Sequence, residues 1–213
     1  MSRTVLDTPD DVATAVAELV RAELDGGIRT LVLAGGSTPQ RAYRLLRPGP
    51  AWGRVAVLFG DERCVPPDDP ESNYRMAREA LLDRVSPATV HRMAGELGAE
   101  EGARRYADVV EGYGTLDLVL LGVGPDGHTA SLFPGAPELS ADGAVCPVHG
   151  APKPPPDRIS LTLPALRAAR RVVIVVTGAD KADAARRAER GEVPSGMVPG
   201  AEFILDAAAA GGR

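Results

Sequence analysis

Short apolar runs that stop at glycine limit this chain more than any other feature. Thr30-Leu31-Val32-Leu33 leads into Gly35-Gly36, Val55–Phe59 into Gly60, and Leu116–Val123 carries Gly122 near its end. A brief apolar run without polar alternation reads as a strand buried on both faces. Glycine at its end lets the backbone turn sharply and approach whatever lies there. Between such runs, apolar residues recur at helical spacing. Thr8 can cap a helix, Pro9 suits its first turn, and Asp10 and Asp11 favour the positive end of its dipole. Val12, Ala15, Val16, Leu19 and Val20 then form one face, and Gly26-Gly27 closes the element.

The same reading predicts helices over Pro39–Leu46, Asn73–Leu82, Glu100–Glu111 and Asp180–Arg190. It predicts a short apolar piece around Val90 and further strands over Arg158–Leu163, Arg171–Thr177 and Glu202–Leu205. Strands alternating with helices imply an α/β fold with a mostly parallel sheet covered on both faces. The 213 residues suit one domain, 1–213. The interval Pro134–Pro156 breaks the rhythm with Pro152-Lys153-Pro154-Pro155-Pro156, and is expected to be a functional loop or a mobile linker.

Charge and composition narrow the function. A net charge of -5 argues against a nucleic-acid partner, which requires concentrated Lys and Arg, but leaves room for a small phosphate ligand. No run approaches the ~20 apolar residues of a membrane helix. The opening MSRTVLDTPDDVATAV lacks a basic region followed by an apolar one, so no secretory signal is expected. Cys64 and Cys146 have neither disulfide-framework nor zinc spacing. The expectation is a reduced cytoplasmic protein without a metal site. Its oligomeric state is not written in the sequence.

In open parallel sheets, ligands bind beyond the carboxyl ends of the strands. Three segments fall there. Gly35-Gly36-Ser37-Thr38-Pro39 combines glycines, two hydroxyls and a helix start, which can cradle a phosphate. The alternative is that Ser37 or Thr38 merely caps a helix beginning at Pro39. Gly60-Asp61-Glu62-Arg63 offers a guanidinium fork for an anion, or a surface ion pair of Arg63 with Asp61, Glu62 or Asp68. Gly122-Val123-Gly124-Pro125-Asp126-Gly127-His128 matches the G-x-G-x-x-G dinucleotide pattern, but leads through Ser131-Leu132-Phe133 into the Pro-rich interval. No strand follows at the right distance, which argues against a nicotinamide cofactor.

What remains in the third segment is His128, held on a glycine turn at the mouth of the most apolar strand. Histidine titrates nearest neutrality and is the commonest general base. Asp126 either orients it or caps a short helix near Thr129. His91 and His149 are read as surface or satisfied core residues. No G-x-S-x-G elbow supports a serine nucleophile. Cys64 is read as a strand-end cysteine.

Taken together these segments resemble the 6-phosphogluconolactonase family. The resemblance rests on Gly35-Gly36-Ser37-Thr38-Pro39, Gly60-Asp61-Glu62-Arg63, Ser72-Asn73 and Gly122-Val-Gly-Pro-Asp-Gly-His-Thr-Ala-Ser-Leu-Phe-Pro134. Lys153-Pro-Pro-Pro-Asp-Arg158-Ile-Ser-Leu-Thr-Leu-Pro164 and Thr177-Gly-Ala-Asp-Lys181-Ala182 complete it. It implies a Rossmann-like three-layer α/β/α fold shared with glucosamine-6-phosphate deaminase and ribose-5-phosphate isomerase. It implies hydrolysis of 6-phosphogluconolactone in the oxidative pentose phosphate pathway, with no metal or organic cofactor. The family's catalytic histidine maps onto His128; beside it, Asp61 is read on its own chemistry as a group that orients water or a substrate hydroxyl. Gly36, Ser37, Thr38, Arg63 and Lys181 map onto substrate-binding positions, as do Arg158 and Lys153 more loosely. Lys181 at a predicted helix start also suits an anion on physical grounds. The related deaminases carry Asp-Glu-Tyr where this chain has Asp61-Glu62-Arg63, and Phe-Asn-Glu-Pro where it has Ser131-Leu132-Phe133-Pro134. A sugar-phosphate sensor of the transcription-regulator type would bring a DNA-binding segment, and none precedes the first helix.

Overall fold

The computed structural model describes residues 2–212. In chain order the strands are β1 Ser2–Leu6, β2 Thr30–Leu33, β3 Ala56–Phe59, β4 Asp61–Arg63 and β5 Thr89–Val90. They continue as β6 Leu118–Gly122, β7 Val145–Val148, β8 Arg158–Leu161, β9 Arg171–Val176 and β10 Glu202–Asp206. The helices are α1 Pro9–Asp25, α2 Ser37–Leu45, α3 Asn73–Ala77 with a π turn over Arg78–Leu82, α4 Ala99–Tyr113, α5 Leu163–Ala168 and α6 Ala182–Glu189. Seven strands form a parallel sheet in the order β1-β10-β9-β6-β2-β3-β5. From β2 the chain winds outward through β3 to β5. It then crosses to the other side of β2 at β6 and continues through β9 to β10. The reversal between β2 and β6 opens a crevice beyond the carboxyl ends of those two strands.

Strand alternation divides the core into two faces. Leu31, Leu33, Val57, Phe59, Leu118, Leu120, Val173 and Val175 pack with Val12, Val16 and Val20 of α1 and Tyr43 of α2. Val32, Leu58, Val119, Leu121, Ile174 and Val176 pack with Ala103, Tyr106 and Val110 of α4, Ala184 and Ala188 of α6, and Val148 and Ile159. Each such large side chain contributes about 1.5–3 kcal/mol when fully buried. At the amino ends, the Asp117 carboxylate accepts the Arg29 and Thr30 amides at 2.8 and 3.1 Å, while the Asp117 amide donates to Thr30 Oγ1 at 2.7 Å. This clamp sets β2 level with β6, the two strands that flank the crevice.

The first helix is capped as its sequence predicts: Thr8 Oγ1 accepts the Asp11 amide and Asp11 returns the bond to the Thr8 amide. Other elements differ from expectation. Strand β1 is a further strand, exposed along most of its length at the sheet edge, so it lacks the apolar run that reveals a central strand. The predicted strand at Arg158 ends at Leu161, and α5 begins at Leu163. That strand lies outside the parallel sheet, in a small antiparallel sheet of order β4-β8-β7. The interval Pro134–Pro156 is not wholly irregular, since it contributes β7. Pairing with β8 supplies that order, which local composition does not. Among the described residues no helix is long and apolar enough to cross a membrane.

Candidate active site

Beyond the strand ends lies a cavity of about 320 Å³. Its walls come from the turns after β2, β3, β6 and β9, with Lys153 and Arg158 added from the side of the small sheet. At the first turn, Gly36 (φ 106°) holds the cap position and α2 starts at Ser37, so neither hydroxyl caps a helix beginning at Pro39. Thr38 Oγ1 instead meets Thr177 Oγ1 at 2.6 Å, tying the turn after β2 to the turn after β9 that carries Lys181. Ser37, Thr38 and the unpaired amides of the first α2 turn border the cavity, the arrangement that favours an anion. Lys181 borders it as well, at the cap position of α6.

At the second turn the period of β4 decides the roles. Asp61 and Arg63 border the cavity, while Glu62 points the other way. Glu62 accepts the amides of Asn73 and Tyr74, both at 2.7 Å, and the Ser72 hydroxyl at 3.0 Å. Burial pushes its carboxyl up from the ordinary value, against the amides of Tyr74, Arg63 and Asn73 that pull it down. Arg63 Nη1 donates to the Glu71 carbonyl at 2.9 Å and pairs loosely with its carboxylate at 3.7 Å. Its surface partner is therefore Glu71 rather than Asp61, Glu62 or Asp68. Among the described residues the buried Arg63 Nε finds no hydrogen-bond partner. Asp61 is buried and accepts the Ser131 hydroxyl at 2.7 Å and the Asn73 side-chain amide at 3.1 Å.

The third turn holds His128. No helix opens after β6; the chain makes a tight turn, with the Gly127 amide donating to the Gly124 carbonyl at 2.9 Å and a bridge between Thr129 and Leu132. This is not the geometry of a dinucleotide fingerprint, and Asp126 caps no helix at Thr129. A Cβ on Gly124 would lie 2.1 Å from the His128 ring, so only glycine leaves the ring its place. Gly127 has φ +91°, and a Cβ there would meet Val193 at 2.5 Å. Ser195 also donates its amide to the Gly127 carbonyl at 3.2 Å, so the C-terminal segment backs this turn.

Asp126 Oδ1 lies 2.5 Å from His128 Nδ1. Burial raises the Asp126 carboxyl, but the hydrogen bond and charge of His128 and the local backbone amides outweigh it and hold the group below the ordinary range. An ionised carboxylate only accepts, so the proton in this hydrogen bond belongs to Nδ1, and in the neutral ring the lone pair then falls on Nε2. The His128 ring leans on Phe133, with centroids 4.6 Å apart, and the Arg158 guanidinium lies 5.6 Å from the Phe133 centroid. Arg158 is buried; its Nε donates to the Pro155 carbonyl at 3.0 Å and its Nη2 to the Lys153 carbonyl at 2.7 Å. Burial, then the Arg63 charge, lowers Arg158 from its ordinary value.

The other candidates lie elsewhere. His91 Nε2 meets the Tyr113 hydroxyl at 2.8 Å, and burial lowers its titration. His149 is exposed between Asp157 and Glu100. Burial, aided by Asp157 and Glu62, pushes the Cys64 thiol up to about 11, which suits an unreactive strand-end cysteine. Sequence reasoning gave no separate role to Asn73, Phe133, Thr177 or Val193. The first three lie in or beside the matched motifs, whereas Val193 gave no signal, because its partner Gly127 is remote in sequence.

Fold and cleft define a Rossmann-like three-layer α/β protein with a cavity at the switch point of its sheet. The chain belongs to the family of glucosamine-6-phosphate isomerases and 6-phosphogluconolactonases, whose model matches residues 7–206. A 6-phosphogluconolactonase of Streptomyces coelicolor is 40% identical over 227 aligned residues, covering 93% of this chain and 87% of the relative. One of Bos taurus is 38% identical, covering 97% and 91%. The crystal structure of 6-phosphogluconolactonase from Thermotoga maritima superposes with a TM-score of 0.88 at 26% identity, covering 96% of this chain and 99% of that one.

Proposed function

We propose that this chain, acting as one domain in the cytoplasm, hydrolyses 6-phospho-D-glucono-1,5-lactone to 6-phospho-D-gluconate, the second step of the oxidative pentose phosphate pathway. The observation that carries the reading is the His128 imidazole at the cavity wall, fixed through Nδ1 by Asp126. Family membership and the lactonase names of the relatives support it.

The phosphate sits at the turn of Gly36, Ser37 and Thr38 and at Lys181, with Arg63 and Arg158 adding positive charge to the wall. Anchoring this remote group orients the lactone carbonyl, which water attack requires. His128 Nε2 takes a proton from water as the oxygen adds to the carbonyl. It then returns that proton to the ring oxygen as the ester bond breaks. Amides of the glycine turn after β6 stabilise the developing oxyanion. Asp61 keeps lone pairs beyond the two it commits to Ser131 and Asn73, and orients a substrate hydroxyl or the water. Ester hydrolysis by this route calls on no electron carrier and no organic cofactor.

The test generates 6-phosphogluconolactone enzymatically and follows its hydrolysis beside deamination of glucosamine 6-phosphate, for wild type and His128→Ala. Lactone hydrolysis that collapses in the variant is expected. Deamination without lactone hydrolysis would move the chain to the isomerase branch of its family.

A further inference from the structure

The peptide unit that joins Gly127 to His128 is held at both of its ends. Its N–H, the His128 amide, donates to Asp126 Oδ1 at 3.2 Å, the oxygen that also meets the ring at Nδ1. Its carbonyl, on Gly127, accepts the Ser195 amide at 3.2 Å. The next unit is fixed as well, because the His128 carbonyl accepts the Gly124 amide at 3.0 Å. A planar peptide moves as one body, so holding these units sets the direction in which the His128 side chain leaves the backbone. The bonds to Asp126 and Gly124 are local to the turn, whereas Ser195 arrives from the C-terminal part of the chain.

The segment that delivers the Ser195 amide also sets a side chain against the turn. Gly127 has φ +91°, and a Cβ there would lie 2.5 Å from Val193 Cβ and 2.7 Å from each of its methyl carbons. The valine therefore fills the space that a side chain on Gly127 would need. Val193 is fully buried and β-branched, so it has few rotamers into which to retreat. Its backbone is tied to α6: the Gly191 and Glu192 amides donate to the Ala188 and Arg187 carbonyls at 2.9 and 3.0 Å, and the Gly196 amide closes back on the Val193 carbonyl at 2.8 Å. Gly196 lies so near the helix that a Cβ on it would fall 2.1 Å from the Ala188 carbonyl oxygen. The support behind the histidine turn is thus anchored to a core helix.

We propose that Val193 is a positioning residue for His128: its packed side chain, with the Ser195 amide beside it, holds the Gly127–His128 peptide so that the ring stays in line with Asp126. Val193 touches no substrate, so its loss acts on kcat and not on binding. This deepens the lactonase reading and rests on it. The test compares Val193→Ala, which opens a gap behind Gly127, with Val193→Thr, which keeps the shape but buries a hydroxyl. Both lose stability, the first through a cavity and the second through the buried polar group, but only the first frees the turn. Steady-state kinetics with 6-phosphogluconolactone would be measured for wild type and both variants, beside thermal unfolding. Proton NMR of histidine-labelled protein would follow the Nδ1 proton that His128 donates to Asp126.

Val193→Ala should lower kcat about tenfold with KM little changed, the cost of a small misplacement of a reacting group. Its Nδ1 proton signal should broaden or vanish as the ring leaves its place against Asp126. Val193→Thr should unfold at a lower temperature than wild type, yet keep both kcat and the signal. Wild-type kcat and a wild-type signal in folded Val193→Ala overturn the proposal and leave the lactonase reading standing. An equal loss of kcat in both variants overturns it too, because it marks a role in stability alone. Should Val193→Ala not fold, Val193→Cys, which loses one branch, is read against the same outcomes. If the wild type hydrolyses no lactone, the lactonase reading fails instead. Loss of the signal in Val193→Ala then still supports the positioning role, and its retention overturns it.

Discussion

A single carboxylate oxygen, Asp126 Oδ1, holds His128 twice, meeting the ring at Nδ1 at 2.5 Å and accepting the backbone amide at 3.2 Å. Ring and backbone are thereby locked to each other, which fixes both the tautomer and the direction of Nε2. Removing the carboxylate in Asp126→Ala frees the ring to rotate and leaves a developing imidazolium without its counter-charge. We expect kcat to fall at least about tenfold with KM nearly unchanged, as when a partner that orients a reacting histidine is lost. Steady-state kinetics at saturating lactone, read against product binding, checks this.

His128→Ala should lower kcat by roughly 10²–10⁴-fold, the usual worth of a general base, and should still bind 6-phosphogluconate. Gly124→Ala is the complementary experiment, because the added methyl would occupy the space of the ring. It should approach the histidine variant in kcat while the far-ultraviolet circular dichroism stays native. A Gly124→Ala enzyme with wild-type turnover would show that the ring has room to spare.

Losing Lys181 should act mainly on binding. Its ammonium borders the cavity beside the turn that the Thr38–Thr177 contact fixes. Lys181→Ala should raise KM for the phosphorylated lactone by about 10–100-fold, the range of a charge-assisted hydrogen bond, and leave kcat within a small factor. Titration calorimetry with 6-phosphogluconate measures the same loss without turnover.

Asp117 tests the scaffold rather than the chemistry. Burial raises its carboxyl, but the amides of Arg29 and Thr30 and the Arg170 guanidinium hold it below the ordinary range. A folded carboxyl with a lowered value contributes stability above its unfolded value, near pH ~4, and loses that contribution as pH falls below it. Asp117→Asn should therefore cost about 1–3 kcal/mol at neutral pH, lowering Tm by several degrees. The gap to wild type should narrow as pH falls from ~5 to ~3. Urea unfolding at both ends of that window gives the answer, and a gap independent of pH would rule out the ionised clamp.

The alternation of buried strand and amphipathic helix was legible in the sequence because both periods are local, as in Leu31–Leu33 and along Val12, Val16 and Val20. So were the turns bearing Ser37, Asp61 and His128, since strand-end glycines mark where a parallel sheet exposes backbone to a ligand. Tertiary structure alone decided partners. It drew Arg158–Leu161 out of the main sheet to pair with Asp61–Arg63 and Val145–Val148, and set the exposed Ser2–Leu6 beside Glu202–Asp206. It placed Val193 behind Gly127 and turned the Arg158 guanidinium onto the Lys153 carbonyl. Such choices depend on shape and burial between segments far apart in the chain, and a local pattern of apolar and polar residues contains no term for them.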